Sequence, residues 1–191
     1  MLADGVRAAA VDIIDIRYWH YQEDGTLYAP KGGQNLAPRQ HARLLKPKRS
    51  SFEQVYRAVS EYRKKFPGKA VMYSADGYDQ LGWAVFMAGG SMAVLPQMDS
   101  LFLKEAAVML PIYDPATNGL WRLKGLSGEI LYTEHKTIKT NLDTGKEFDI
   151  RYIHPKTGKI IKEEKKQGGK DIQLDVENGS TVIWIKETRR L

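Results

Sequence analysis

The spacing of apolar positions changes partway along the chain. Up to about residue 112 they fall in short continuous runs or on helical stripes, and from residue 119 they alternate with polar residues in steps of two. Continuous runs suit strands buried on both faces, and alternation suits strands that bury one face. The sequence therefore predicts an α/β segment followed by an all-β segment.

In the first segment VDIIDIRYW (11–19) reads as a strand, and a long Gly/Pro loop follows it. SSFEQVYRAVSEYRKKF (50–66) places Phe52, Val55, Tyr56, Val59 and Phe66 on one helical stripe. Ser51 and Gln54 have the spacing of a capping box, and Pro67-Gly68 supplies the stop. Strand KAVMYSA (69–75), helix YDQLGWAVFMA (78–88), strand SMAVLPQ (91–97) and helix LFLKEAAVML (101–110) come next. Three apolar strands, each followed by a helix, predict parallel βα units.

The second segment offers strands at 119–125, 128–135, 137–142, 147–153, 159–165, 171–176 and 181–187. Asp143-Thr144-Gly145, His154-Pro155-Lys156-Thr157-Gly158, Gly168-Gly169 and Asn178-Gly179 supply turn chemistry between them, the last being a hairpin signal. A meander of this size predicts a small antiparallel β-sandwich or roll. The expected domains are 1–112, a partial set of parallel βα units, which the resemblance given below makes barrel-like, and 119–191, the sandwich.

Three parallel strands with their helices do not close a sheet covered on both faces, so the first segment reads as part of something larger. An open sheet leaves edges and apolar surface exposed, and self-association is expected from it.

Composition narrows the possible partners. The 191 residues carry a net charge of +6 and are 42% hydrophobic, enough for a true core. The charge is spread, with 14 basic and 12 acidic residues in 1–118 against 15 and 11 in 119–191, which argues against a nucleic-acid partner. The loop from 25 to 50 holds six basic or His residues between 39 and 49, yet Gly32-Gly33 lacks the strand-to-helix context of a phosphate cradle. No run reaches the roughly 20 apolar residues of a membrane span, and the first ten residues show no export signal. Cysteine is absent, which removes disulfides, thiolate metal sites and cysteine nucleophiles and fits either redox compartment. His20, His41, His135 and His154 show no ligand spacing, so neither metal nor cofactor is expected.

Two clusters could carry chemistry. Asp15, Arg17, Tyr18, Trp19 and His20 end the first strand with aromatic faces beside hydrogen-bonding groups, a combination that suits sugars. The same residues could instead pack under the loop, with Asp15 paired to Arg17 and His20 a structural histidine. Tyr73-Ser74-Ala75-Asp76-Gly77-Tyr78 lies where a strand hands over to a helix. Asp76 there is either a catalytic carboxylate or the N-cap of that helix with Asp79 at N3, and Tyr73 and Tyr78 would flank a substrate. Trp121 and Trp184 read as core or as a sugar platform, and KIIKEEKKQGGK as a soluble edge.

IIDIRYWHYQEDGTLYAPKGGQNLAP, KAVMYSADGYDQLGWAVFMAGGSMAVLP and the tail RYIHPKTGKIIKEEKKQGGKDIQLDVENGSTVIWI together resemble the last barrel strands and the carboxy-terminal β-sandwich of bacterial (β/α)8 glycoside-hydrolase-like proteins. The tail is similar to the type labelled collagen-binding, through Pro155, Thr157, Gly158 and Trp184. The barrel similarity rests on Trp83-Ala84-Val85-Phe86 and Ala88-Gly89-Gly90.

The resemblance implies barrel strands six to eight and a periplasmic or extracellular setting. It also implies glycosidic-bond hydrolysis in a polysaccharide or oligosaccharide by the complete protein. In such proteins the nucleophile is a Glu at the end of strand seven and the acid a Glu after strand four. Here Ser74-Ala75-Asp76 occupies the first position, with no Glu, and strand four would lie before Met1, so the chain alone is expected to be inactive. The alternative is a non-catalytic carbohydrate-binding or assembly module.

Overall fold

The computed structural model describes residues 9–17, 51–75, 77–112, 119–177 and 179–188. The molecule mixes helices with open sheets and consists mostly of strands. It divides into two compact units, residues 1–94 and 95–191.

The first unit contains strand β1 (Ile13–Ile16), helix α1 (Phe52–Lys65), strand β2 (Ala70–Tyr73) and helix α2 (Gly82–Met87). The capping box forms as its spacing predicts: Ser51 Oγ accepts from the Gln54 amide and Gln54 Oε1 from the Ser51 amide, both at 3.3 Å. Arg63, Lys64 and Lys65 complement the dipole in the last turn of α1, and Gly68 turns the chain at φ +83°. Val55, Tyr56 and Val59 are buried, and α1 packs on β2 and α2.

β1 and β2 pair in parallel, with Ile14 opposite Val71 and Ile16 opposite Tyr73. Because side chains alternate across a strand, these four share one face and all four are buried. The other face carries Ile13, Asp15, Ala70 and Met72, of which Ile13 is exposed.

Two expectations for this unit change. Among the described residues the parallel sheet has two strands, because 91–97 is not a strand: Met92 adopts φ +55°, which breaks an extended run. The second helix begins at Gly82, with Leu81 as an N-cap that makes no side-chain bond, and residues 77–80 form turns. A helix starting there cannot have Asp76 as its N-cap.

The second unit holds helix α3 (Ser100–Ala106) and strands β3 (Leu110–Ile112), β4 (Leu120–Lys124), β5 (Gly128–Thr133), β6 (Thr137–Thr140), β7 (Glu147–Ile153), β8 (Ile160–Gln167), β9 (Ile172–Asp175) and β10 (Thr181–Glu187). Six strands form one sheet in the order β3-β4-β5-β10-β7-β8, antiparallel throughout, and β6 pairs with β9 in a second sheet.

Asp99 caps α3, accepting from Leu101 N at 2.7 Å and Phe102 N at 3.2 Å. The helix stops at Ala106 rather than continuing to 110, and Leu110–Ile112 pairs with β4 instead.

β10 is central and buried on both faces. Its Ile183 and Ile185 join Leu131, Ile150, Tyr152, Ile138 and Leu174 in one core cluster drawn from both sheets. On its opposite face Trp184 meets the Phe102 ring edge-on at 5.5 Å and donates from Nε1 to Glu105 Oε2 at 2.9 Å. A strand buried on both sides needs the unbroken apolar run that residues 182–185 supply.

A polar link sits inside this core. Buried Glu129 accepts from Arg122 at 3.2 Å and from the Thr140 hydroxyl at 2.6 Å, and Arg122 also reaches Thr140 at 3.0 Å and the Lys139 carbonyl at 3.2 Å. Nearby, Tyr152 donates to Glu164 at 2.6 Å, and burial first and then that carboxylate push the phenol's pKa well up.

The turn signals fall at the positions the sequence predicts, though their partners differ. Gly145 and Gly158 take φ +83° and +69°. Gly179 lies between β9 and β10, which belong to different sheets, so that signal marks a crossing rather than a hairpin; Asn178 lies outside the described residues.

Candidate functional site

At the carboxyl ends of β1 and β2 three polar side chains converge. Asp15 projects from the second-last position of β1, Arg17 follows the strand's end, and Ser74 follows β2 directly, its amide donating to the Ile16 carbonyl at 3.1 Å. Arg17 Nε reaches Asp15 Oδ2 at 2.7 Å, and the Ser74 hydroxyl donates to Asp15 Oδ1 at 2.7 Å. Each carboxylate oxygen thus holds one partner and keeps lone-pair capacity for another.

The arrangement contributes little to stability. Arg17 is 72% exposed and the Asp15 side chain 21%. An ion pair this open to solvent contributes on the order of 0–1 kcal/mol. What it does is fix the orientation of an accessible carboxylate beside a cation and a hydroxyl, which is a hydrogen-bonding surface for a polar ligand.

The strand's alternation separates the other expected contacts. Tyr73 opposes Ile16, so it lies on the face opposite Asp15 and is buried at 7% exposure. Tyr78 is 50% exposed, in the turn that follows Gly77 at φ +74°, and its amide donates to the Ala75 carbonyl at 3.2 Å. Tyr18, Trp19, His20 and Asp76 lie outside the described residues. The structure thus brings Asp15 and Arg17 together, and it adds Ser74, which the sequence reading left unassigned. The parallel register could have found it: with Asp15 opposite Met72, the residue beside Arg17 is Ser74.

Trp121 and Trp184 are buried at 5% and 1%, so neither ring offers a sugar platform. Among the described residues no group of three His, Cys, Asp or Glu side chains could hold a metal ion, and no helix is long and apolar enough to cross a membrane.

The fold is that of glycoside hydrolases in part. A solved structure titled "Glycoside hydrolase" superposes with a TM-score of 0.56 at 12% identity, over 96% of this chain and 54% of that one. A GH30 endoxylanase from Clostridium papyrosolvens aligns with a TM-score of 0.41 at 8% identity, over 98% of this chain and 52% of that one. The chain therefore spans about half the length of the solved proteins it matches. By sequence it belongs to the family described as "Domain of unknown function (DUF6298)", which matches residues 1–109. No curated protein matches it.

Proposed function

We propose that the chain is the carboxy-terminal portion of a carbohydrate-active protein that degrades polysaccharide. In this reading the first unit supplies part of a (β/α)8-type barrel mouth and the second is a β-sandwich. The observation that carries it is the Asp15–Arg17–Ser74 cluster at the carboxyl ends of neighbouring parallel strands, the place where α/β folds bind ligands and barrels keep their active sites. The likeness of fold to a glycoside hydrolase supports it.

In this reading Asp15 and Arg17 receive substrate hydroxyls, Tyr78 and residues 18–20 line the cleft, and Asp76 is the candidate catalytic carboxylate. Arg17 sits on Asp15 Oδ2 and the Ser74 hydroxyl on Oδ1, which fixes the orientation of the carboxyl group toward a ligand. The isolated chain is inactive and self-associates through the open β1–β2 pair, whose outer face carries exposed Ile13.

The test uses the protein as its cells produce it, with release of reducing sugar measured on a panel of plant and microbial polysaccharides. Asp76→Asn is expected to abolish turnover, and Asp15→Asn to raise KM with little change in kcat. Unchanged turnover in Asp76→Asn removes that residue from the mechanism. A protein that neither hydrolyses nor is retarded by any polysaccharide gel ends the carbohydrate reading, whereas retardation without product favours the non-catalytic module.

A further inference from the structure

The small sheet of the second unit has two strands and therefore two outer edges, and among the described residues no strand pairs with either. Antiparallel pairs alternate between those that exchange hydrogen bonds and those whose backbone groups point outward. Val176 N donates to the Lys136 carbonyl at 2.7 Å, which makes 136 and 176 a bonded pair. By alternation Ile138 and Leu174 are bonded too, while Thr137–Asp175 and Lys139–Gln173 turn their backbone groups outward. Such an outward row of N–H and C=O groups is a template for another strand.

Cations from the larger sheet occupy that row on both sides. On β9, Lys166 Nζ donates to the Gln173 carbonyl at 2.6 Å and Lys162 Nζ to the Asp175 carbonyl at 3.5 Å. On β6, Arg122 Nη2 donates to the Lys139 carbonyl at 3.2 Å. Of the outward carbonyls at 137, 139, 173 and 175, the last three thus hold a charged donor.

The two lysines are held in place from β8. Lys162, Glu164 and Lys166 are two residues apart along the strand and so share one face. Each amine lies 3.8 Å from a Glu164 oxygen, and Glu164 is itself fixed by the Tyr152 hydroxyl at 2.6 Å. The Lys162 amine also sits 4.6 Å from the centre of the Tyr152 ring. The lysine side chains are 35% and 30% exposed, and ion pairs that open contribute little to folding. Their effect is on the edge. An ammonium on an outward carbonyl stands where the N–H of a further strand would be, and a strand laid beside it would bury its charge.

We propose that Lys162 and Lys166 form a lock on the outer edge of β9 that closes it to a second copy of the chain. The edge is the same in every copy, and like edges pair across a two-fold axis into a closed dimer. Centred on Leu174, that pairing sets residue 173 of one copy opposite 175 of the other, so the outward groups of both find partners. The lock stands on residues of the second unit alone and is independent of the carbohydrate reading.

The test is amide hydrogen exchange, followed by NMR, on the isotope-labelled 191-residue chain at low and at high concentration. In the parent the Gln173 and Asp175 amides are expected to exchange as solvent-facing groups at both. In Lys162→Met with Lys166→Met, which keeps the apolar stems, the two amides are expected to slow about tenfold at the high concentration. The Ile183 and Ile185 amides, in the core, are expected to stay as in the parent and report an intact fold. Lys166→Met alone breaks the shorter bond and is expected to slow the Gln173 amide, and it decides the matter if the double variant does not fold. Lys162→Arg with Lys166→Arg keeps both cations and is expected to behave as the parent.

Parent-like exchange at Gln173 and Asp175 in every folded methionine variant overturns the proposal. So does equal slowing in the arginine and methionine pairs, or protection of both amides already in the parent. Association through the β1–β2 pair leaves these two amides unchanged in all variants, so the two modes of assembly are read separately.

Discussion

Replacing Trp184 by alanine tests whether this indole is core rather than ligand platform. The side chain is 1% exposed, with Phe102 edge-on at 5.5 Å, the Arg151 guanidinium 5.1 Å from the ring centre, and its N–H on Glu105 at 2.9 Å. A buried aromatic of this size removes about 150–250 Å² from water, which at about 25 cal/mol/Å² is about 4–6 kcal/mol of transfer free energy. Alanine retains part of that contribution, and the surroundings close only partly over the space left. The expected loss is therefore about 3–5 kcal/mol. Trp184→Phe keeps a ring against Phe102 and removes the hydrogen bond to Glu105, whose other oxygen stays 3.0 Å from Lys186, so it is expected to lose about 1–3 kcal/mol. Urea unfolding followed by circular dichroism measures both. A loss below about 1 kcal/mol for Trp184→Ala would refute the burial argument, and the ring would again be open to a ligand role. If the large loss is found, failure of the alanine variant to bind glycan says nothing about glycan contact, because the unit itself has come apart.

Two further predictions concern the strand-rich unit. Glu129→Ala leaves Arg122 without its carboxylate and Thr140 without its acceptor, and it is expected to cost about 2–4 kcal/mol in urea unfolding. The double change Arg122→Met with Glu129→Leu is expected to recover most of that, and a double variant as unstable as the single one would refute the account. Hydrogen bonds from Gln173 first and then Thr137 hold the Asp175 carboxyl below its usual value of 3.8. A lowered folded-state pKa means the stabilisation is fully present above about pH 4 and is lost as pH falls through the folded value. Asp175→Asn is therefore expected to unfold earlier than the parent at neutral pH and together with it in strong acid; a gap that persists at the acid end would contradict the assignment.

The second unit was far more legible in the sequence than the first, for a physical reason. Strands at 147–153 and 181–187 form with the expected ends because alternation and flanking turns define a strand locally. Which strand pairs with which is not local. Gly179 sits between strands of different sheets, and Asp143–Gly145 likewise joins β6 to β7, which belong to different sheets. Helix α3 shows the same limit. Its apolar residues read equally well as the last helix of a βα series, and only Trp184, far along the chain, shows that Phe102 packs against the strand-rich unit. SMAVLPQ has the composition of a strand and fails to form one, since Met92 adopts φ +55°, which composition does not reveal. The Asp15–Arg17 pair was legible because two residues of separation suffice to place it, whereas Ser74 required the register of β1 against β2.

The energetics also indicate where function should be sought. In the strand-rich unit nearly every notable side chain has a structural role: Trp184 fills a core, Glu129 satisfies Arg122 and Thr140, and Tyr152 is bound to Glu164. Removing any one of them is expected to cost stability. The Asp15–Arg17–Ser74 cluster differs, because an exposed pair holding one hydroxyl contributes little to folding. That arrangement does not follow from packing: it lies at the carboxyl ends of β1 and β2, and each Asp15 oxygen keeps lone-pair capacity. Residues whose geometry is organised but whose contribution to stability is small are the ones a ligand would account for, and in this chain they mark the Asp15–Arg17–Ser74 cluster.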